Sequence, residues 1–122
     1  VGDDSVQAPE RLIEMGIKTV SMVKGAINSF VNLDIEEAKS VLVADDEVDN
    51  LFVIVRDDLI NLINEDKKNG AQAIDYVMIS KYMERIADHS VNISEQVIYY
   101  ITGTYPVIEE EDDEEENDDD EN

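Results

Sequence analysis

Apolar residues recur every three or four positions along almost the whole stretch from Pro9 to Gly103, and that period admits helices and little else. Leu12, Ile13, Met15, Gly16, Val20, Val23, Ile27 and Phe30 set the first stripe and predict a helix from Pro9 to about Asn32. Pro9 suits the first turn, where a missing N–H costs nothing. Asp34-Ile-Glu-Glu37 has the layout of a capping box, with Asp34 as N-cap and Glu37 reaching back. The helix it starts carries Ala38, Val41, Val48, Phe52, Val55, Leu59 and Ile63 on one face and runs to about Glu65. Asp66-Lys-Lys-Asn-Gly70 is polar and reads as a loop closed by glycine. A third helix covers Ala71 to Thr102, with Ile79, Tyr82, Ile86, Ser90, Ile93, Val97 and Tyr100 as its main stripe and Gly103 as its C′ residue. Ile74, Val77, Val91 and Ile98 lie off that stripe, so this helix is apolar on two sides. No segment alternates with period two long enough for a sheet. The fold predicted is all-α: an antiparallel up-down-up three-helix bundle over residues 9–103.

The ends read differently. Residues 1–8 have no periodicity and are expected to be flexible. Residues 104–122 end in a block of twelve acids without a base, which cannot bury apolar surface and is expected to be a disordered tail. Such a tail solubilises, or competes for a basic partner surface, or loosely gathers cations. The whole chain has 31 acidic and 9 basic residues, and the part before the terminal block is still acidic. A surface of that sign repels nucleic acid phosphates and anionic lipid heads, so cations or basic protein surfaces are the fitting partners. With no cysteine, disulfides, zinc–thiolate sites and thiol nucleophiles are excluded. There is no apolar run of bilayer length, no Met at position 1 and no signal-like segment.

Two acidic pairs at i, i+4 stand out: Asp45 with Asp49, and Glu84 with Asp88. Each pair shares a helix face about 5–6 Å apart, close enough to share a cation or to repel without one. In so acidic a chain the spacing also arises by chance, as in Glu10/Glu14. Position adds information: Asp45 falls about 20° from Phe52 on the helical wheel, inside the apolar stripe. An ionised carboxylate there is costly unless paired, hydrogen-bonded or coordinating metal. Alternatively, the first turns of that helix overhang the bundle end and leave Asp45 in water. Glu84, Asp88 and Glu95 lie about 160–180° from Ile86, which taken alone describes a solvated face. Arg85 offers a salt-bridge explanation for Glu84 or Asp88, and His89 sits at the edge of the main stripe as a boundary residue or a ligand. Carboxylates and an amide in this density are hard oxygen donors, suited to Mg²⁺, Mn²⁺, Ca²⁺ or iron.

Glu84-Arg-Ile-Ala-Asp-His-Ser-Val-Asn-Ile-Ser-Glu95 resembles the hallmark helix of the PhoU proteins, and Val97-Ile-Tyr-Tyr-Ile-Thr-Gly103 resembles the end of their second repeat. Ala44-Asp-Asp-Glu-Val-Asp-Asn-Leu-Phe52 is similar to the family's first acidic motif. The resemblance covers about residues 10–103. It implies a three-helix bundle whose E/D-x-x-x-D motifs, here Asp45 and Asp49 with Glu84 and Asp88, hold multinuclear metal clusters. Asn92 and Glu95 continue the row. Iron, manganese, magnesium or zinc are the metal ions implied. The resemblance further implies a cytoplasmic, non-enzymatic negative regulator that links a phosphate ABC transporter to a sensor histidine kinase, with peripheral membrane association as an option.

Three departures from the family pattern matter. There is one repeat where the family has two, Ala87 stands where the family commonly has Gly, and the acidic tail has no counterpart. The single repeat implies either half of a two-bundle chain or a homodimer that restores the two-bundle unit. Two rival functions remain in view. A carboxylate-bridged di-metal enzyme would use Glu-x-x-His pairs projecting inward, and no such pair surrounds His89. A purely structural acidic module would be indifferent to metal ions.

Overall fold

A computed structural model describes residues 8–106. The three expected helices are present: α1 spans Glu10–Asn32, α2 Ile35–Glu65 and α3 Gly70–Thr102. Each packs on the other two in an antiparallel up-down-up bundle, and there is no strand among the described residues. The three segments are 23, 31 and 33 residues long, so α2 and α3 run together for about 45 Å.

Local chemistry sets the boundaries. Pro9 precedes α1, and its carbonyl accepts from the Leu12 and Ile13 amides. At the far end Leu33 takes the left-handed conformation, φ 50°, and the Asp34 amide closes the turn on the Ser29 carbonyl at 2.9 Å. A leucine in that region costs on the order of 1 kcal/mol that glycine would not. Asp34 caps α2 as expected, its side chain accepting from the Glu37 amide at 3.1 Å. The expected return bond from Glu37 is not made, because the Asp34 amide already serves Ser29. The polar link also differs from the expected loop. Lys67–Asn69 form a 3₁₀ turn capped by Asp66, and Gly70 is the first right-handed residue of α3. Asn69 ties this turn to α2 by donating to the Leu62 carbonyl at 2.8 Å. Gly103, φ +83°, ends α3 as a C-cap with its amide on Tyr99.

The core corrects two of the expected stripes. On α2 Ala38, Val41, Val48, Val55 and Leu59 are buried as read, Leu51 joins them, and Phe52 and Ile63 are half-buried. On α1 the buried line is Leu12, Met15, Thr19, Met22, Gly25, Ala26 and Ser29. Ile13, Val20, Ile27 and Phe30, taken as core, are exposed. On α3 the buried line is Ala73, Ser80, Ala87, Ser90, Ser94, Val97 and Ile98, with Val77 and Val91 packed beside it. Ile79, Tyr82, Ile86, Ile93 and Tyr100 face outward. The off-stripe set, Ile74 excepted, is the true core side. Small residues on the inner faces let the helix backbones approach closely, and a count of large apolar side chains misses them. The hydroxyls tolerate burial by turning back on their own helix: Thr19 on Met15, Ser29 on Ala26, Ser80 on Val77 and Ser90 on Ile86. Ala87, where the resembling family commonly has glycine, sits in this small-residue line.

Of the expected flexible ends, residues 1–7 and 107–122 lie outside the described residues. Ala8 and Pro9 are placed, as are 104–106. There Tyr105 stacks on Tyr99 at 4.5 Å between ring centres and its hydroxyl accepts from Gln96.

Candidate metal centre

The antiparallel register of α2 and α3 is fixed at both ends of the carboxylate region. Ala38 packs against Val97 and Ile98 on one side of it, and Lys81 sits 5.9 Å over the Phe52 ring on the other. Between these anchors Asp45 and Asp49 come opposite Glu84, Asp88 and Glu95, so acids 35 to 50 positions apart in sequence form one row along the α2–α3 groove.

Within the row the side chains are not equivalent. Asp49 and Asp88 are exposed, while Asp45, Glu84 and Glu95 are half-buried. The Oδ1 of Asp45 is fully buried and has no hydrogen-bond partner. The first turns of α2 therefore do not leave Asp45 in water. Burial first, then the charges of Asp49, Asp88, Asp46 and Glu95, pushes Asp45 from the usual 3.8 up to about 6. Burial, a hydrogen bond with Asp49, and the charges of Asp49, Asp88 and Asp45 push Glu84 from 4.5 up to about 7. Glu84 therefore gives up its proton less readily than an ordinary carboxyl group. The physical content is simple: several like charges face one another, and the protein relieves them by keeping protons.

Among the described residues no base performs that relief. Arg85, offered by the sequence as a salt-bridge partner, lies over the Tyr82 ring at 5.9 Å. Among the described residues the ion pairs are Lys18–Glu47 at 2.9 Å and Arg56–Asp57 at 3.9 Å, neither in the row. His89 is exposed and turned away from the carboxylates, on the side of α3 that carries Ile86 and Ile93. Asn92 is also separated from them: it lines a groove with Phe30, Ile93 and Tyr100. The structure thus brings together Asp45, Asp49, Glu84, Asp88 and Glu95, and not Asn92. It adds Asp46, whose charge acts on Asp45. Asp46 was visible as part of the acidic run at 45–47.

These residues fit a hard cation in composition. An orphaned, desolvated oxygen of Asp45 and an uncompensated row of carboxylates are what a metal ion would satisfy. The row is open: among the described residues no three Asp, Glu or His side chains already converge as a closed ligand set. Glu84 holds its proton well above the usual carboxylate range, so an ion binding there competes with that proton.

Residues 12–97 match the PhoU domain model. The chain is 37% identical over 89 residues to a phosphate-specific transport system accessory protein PhoU homolog of Clostridium acetobutylicum, covering 73% of this chain and 41% of that protein. It is 29% identical over 108 residues to the Deinococcus radiodurans protein of the same description, covering 84% of this chain and 51% of the relative. A Thermotoga maritima homolog 1 is 31% identical over 94 residues, covering 77% and 40%. The chain thus spans about half or less of the length of these relatives. No solved structure matches it.

Proposed function

The chain belongs to the PhoU family, and from that premise we propose that it is a metal-binding regulatory module of phosphate transport, with the α2–α3 carboxylate row as its metal site. Asp45, Asp49, Glu84 and Asp88 would hold the ions, with Glu95 at the end of the row. The observation that carries this reading is Asp45 Oδ1, buried and unpartnered beside like charges that no base neutralises. A merely solvated acidic face would not bury an ionisable oxygen. The donor set is all oxygen, which favours magnesium, manganese or iron over zinc.

Regulation in this reading is by contact. The relatives are described as accessory proteins of a phosphate-specific transport system, so the partners proposed are a phosphate ABC transporter and the sensor histidine kinase that reads its state. Among the described residues no helix is long and apolar enough to cross a membrane, and the contact proposed is peripheral docking on the transporter. The module works paired with a second bundle. An enzymatic role is not proposed, because the row lies in a surface groove and lacks the inward Glu-x-x-His set of di-metal oxidases.

The test is elemental analysis of protein purified without chelator, beside Asp45→Ala/Asp88→Ala. At least one equivalent of iron, manganese or magnesium is expected in the parent and none in the variant. Absence of metal, together with no affinity for these ions on titration, sinks the metal reading. Capture of the transporter from detergent-solubilised membranes by the metal-loaded protein tests the contact reading separately.

A further inference from the structure

One outward line of α3 carries no acid. Tyr99, Gln96, Asn92, His89 and Arg85 follow one another at steps of three and four, all of them exposed, while Glu84, Asp88 and Glu95 lie toward α2. Arg85 makes no ion pair among the described residues, its guanidinium lying over the Tyr82 ring. Beside this line a groove of about 440 Å³ opens between α1 and α3, walled by Phe30, Leu33, Ile93, Val97 and Tyr100. Its apolar walls are open to water, Phe30 being 63% and Tyr100 76% exposed. Leu33 joins them from the left-handed conformation, which glycine would adopt without strain.

The chain itself turns back onto this line. Gly103, φ +83°, reverses its direction, and the Thr104 amide donates to the Thr102 hydroxyl at 3.2 Å. Tyr105 then stacks on Tyr99 and accepts from Gln96 at 2.8 Å, and Gln96 also lines the groove. An extended chain advances about 3.3 Å per residue where a helix advances about 1.5 Å. Continued in the direction that Tyr105 sets, Val107 and Ile108 lie roughly 7–10 Å farther on, at the level of Asn92 and Ile93. Glu109 to Asp113 come level with His89 and Arg85. The last two apolar residues of the sequence thus fall at the groove, and the acids after them fall at the bases of the line.

We propose that the outward line of α3 is a track for the chain's own C-terminal segment, with Val107 and Ile108 seated in the Phe30–Tyr100 groove and the following acids beside His89 and Arg85. The segment acts as a strap that covers the groove from within the same molecule. None of the residues lining the groove is acidic, so the acids that follow Ile108 meet no opposing carboxylate there. A basic protein surface that draws the acidic block away would uncover the groove, which couples the block at 109–122 to access at this end of the bundle. The inference goes beyond the proposed function and rests on neither the metal nor the transporter.

The chain has no cysteine, so Glu111→Cys gives the full chain a single site for a nitroxide spin label. Paramagnetic broadening of the backbone amides, measured in EDTA against the chemically reduced label, reports where residue 111 goes. A tether this short gives a millimolar effective concentration, so the amides of Ile86, His89 and Ile93 should lose roughly two-thirds or more of their intensity. Those of Asn61 to Glu65, at the far end of the bundle, should keep theirs. In the labelled chain Val107→Asp/Ile108→Asp should restore most of the lost signal, and Ile93→Ser, at an exposed position of the groove wall, should do the same from the other side. No broadening at these amides, broadening spread evenly over the bundle, or broadening unchanged in either variant overturns the proposal. So does equal broadening of an unlabelled nitrogen-15 chain mixed with the spin-labelled one, which would assign the contact to a neighbouring molecule.

Discussion

Asp45→Asn should stabilise the metal-free protein at neutral pH and weaken its hold on metal, and the two effects have one cause. Asp45 is pushed from 3.8 to about 6 because burial and four neighbouring acids oppose its ionisation. Two units correspond to a ceiling of about 3 kcal/mol. Because the carboxyl group is half open to water, roughly 1 to 2 kcal/mol is the working figure. The sign follows from proton binding. Below pH 3.8 the group is protonated folded and unfolded alike, and wild type and variant differ little. Between 3.8 and about 6 the folded state binds more protons than the unfolded state, so wild-type stability falls as pH rises. Above about 6 the penalty is complete. Part of the gain in Asp45→Asn arrives through Glu84, which loses one of the charges acting on it. Thermal unfolding in EDTA at pH 4 and pH 8, followed by circular dichroism, reads this directly. At pH 8 the variant should melt roughly 5 to 10 °C above wild type, and at pH 4 within a degree or two. A variant no more stable than wild type at pH 8, or equally stabilised at both pH values, would refute the claim that Asp45 is an opposed, desolvated carboxylate.

Other consequences are local to the fold. A methyl at Gly25 would meet Val41 Cγ2 at 2.9 Å, so Gly25→Ala should cost about 1–3 kcal/mol in urea unfolding despite its better helix propensity. At Gly16 the nearest atom is the flexible end of Met83, at 3.0 Å, and Gly16→Ala should be neutral or stabilising in the same assay. Asp34→Ala removes the N-cap bond of α2 and should cost about 1 kcal/mol, read as a lower urea midpoint at unchanged slope. Leu33→Gly relieves the left-handed residue between α1 and α2 and should raise that midpoint, a gain of about 1 kcal/mol in stability.

Helix number, order and boundaries were legible because caps and breakers are local: Pro9, Asp34, Asp66 and Gly103 all act within a turn of where they stand. Which face of each helix turns inward was legible only on α2, where the large apolar residues are also the core. On α1 and α3 the apolar residues divide between two faces, and the inner one is lined by Ala, Ser, Thr and Gly, whose contribution is close approach rather than hydrophobicity. Ile86 and Ile93 look like core by any count of methyl groups, and only the packing of Ala87 and Ser94 shows otherwise. The carboxylate row was legible in part. The i, i+4 pairs gave Asp45, Asp49, Glu84 and Asp88, but that α2 and α3 bring the two pairs together depends on register, which no local signal carries. Asn92 fell out of the row because a step of four from Asp88 turns it 40° farther from the α2 groove, whereas Glu95, at a step of seven, stays beside it.

The central claim is that the α2–α3 row is a built cation site, distinct from the diffuse attraction of an acidic chain. Manganese titration followed by electron paramagnetic resonance, on the full chain and on Asp49→Asn/Asp88→Asn, separates these, since the variant keeps the acidic block at 109–122 intact. The account predicts a saturable tight component in the parent that is lost in the variant, with the weak remainder common to both. Identical isotherms for the two proteins, or a weak component alone in the parent, would contradict it.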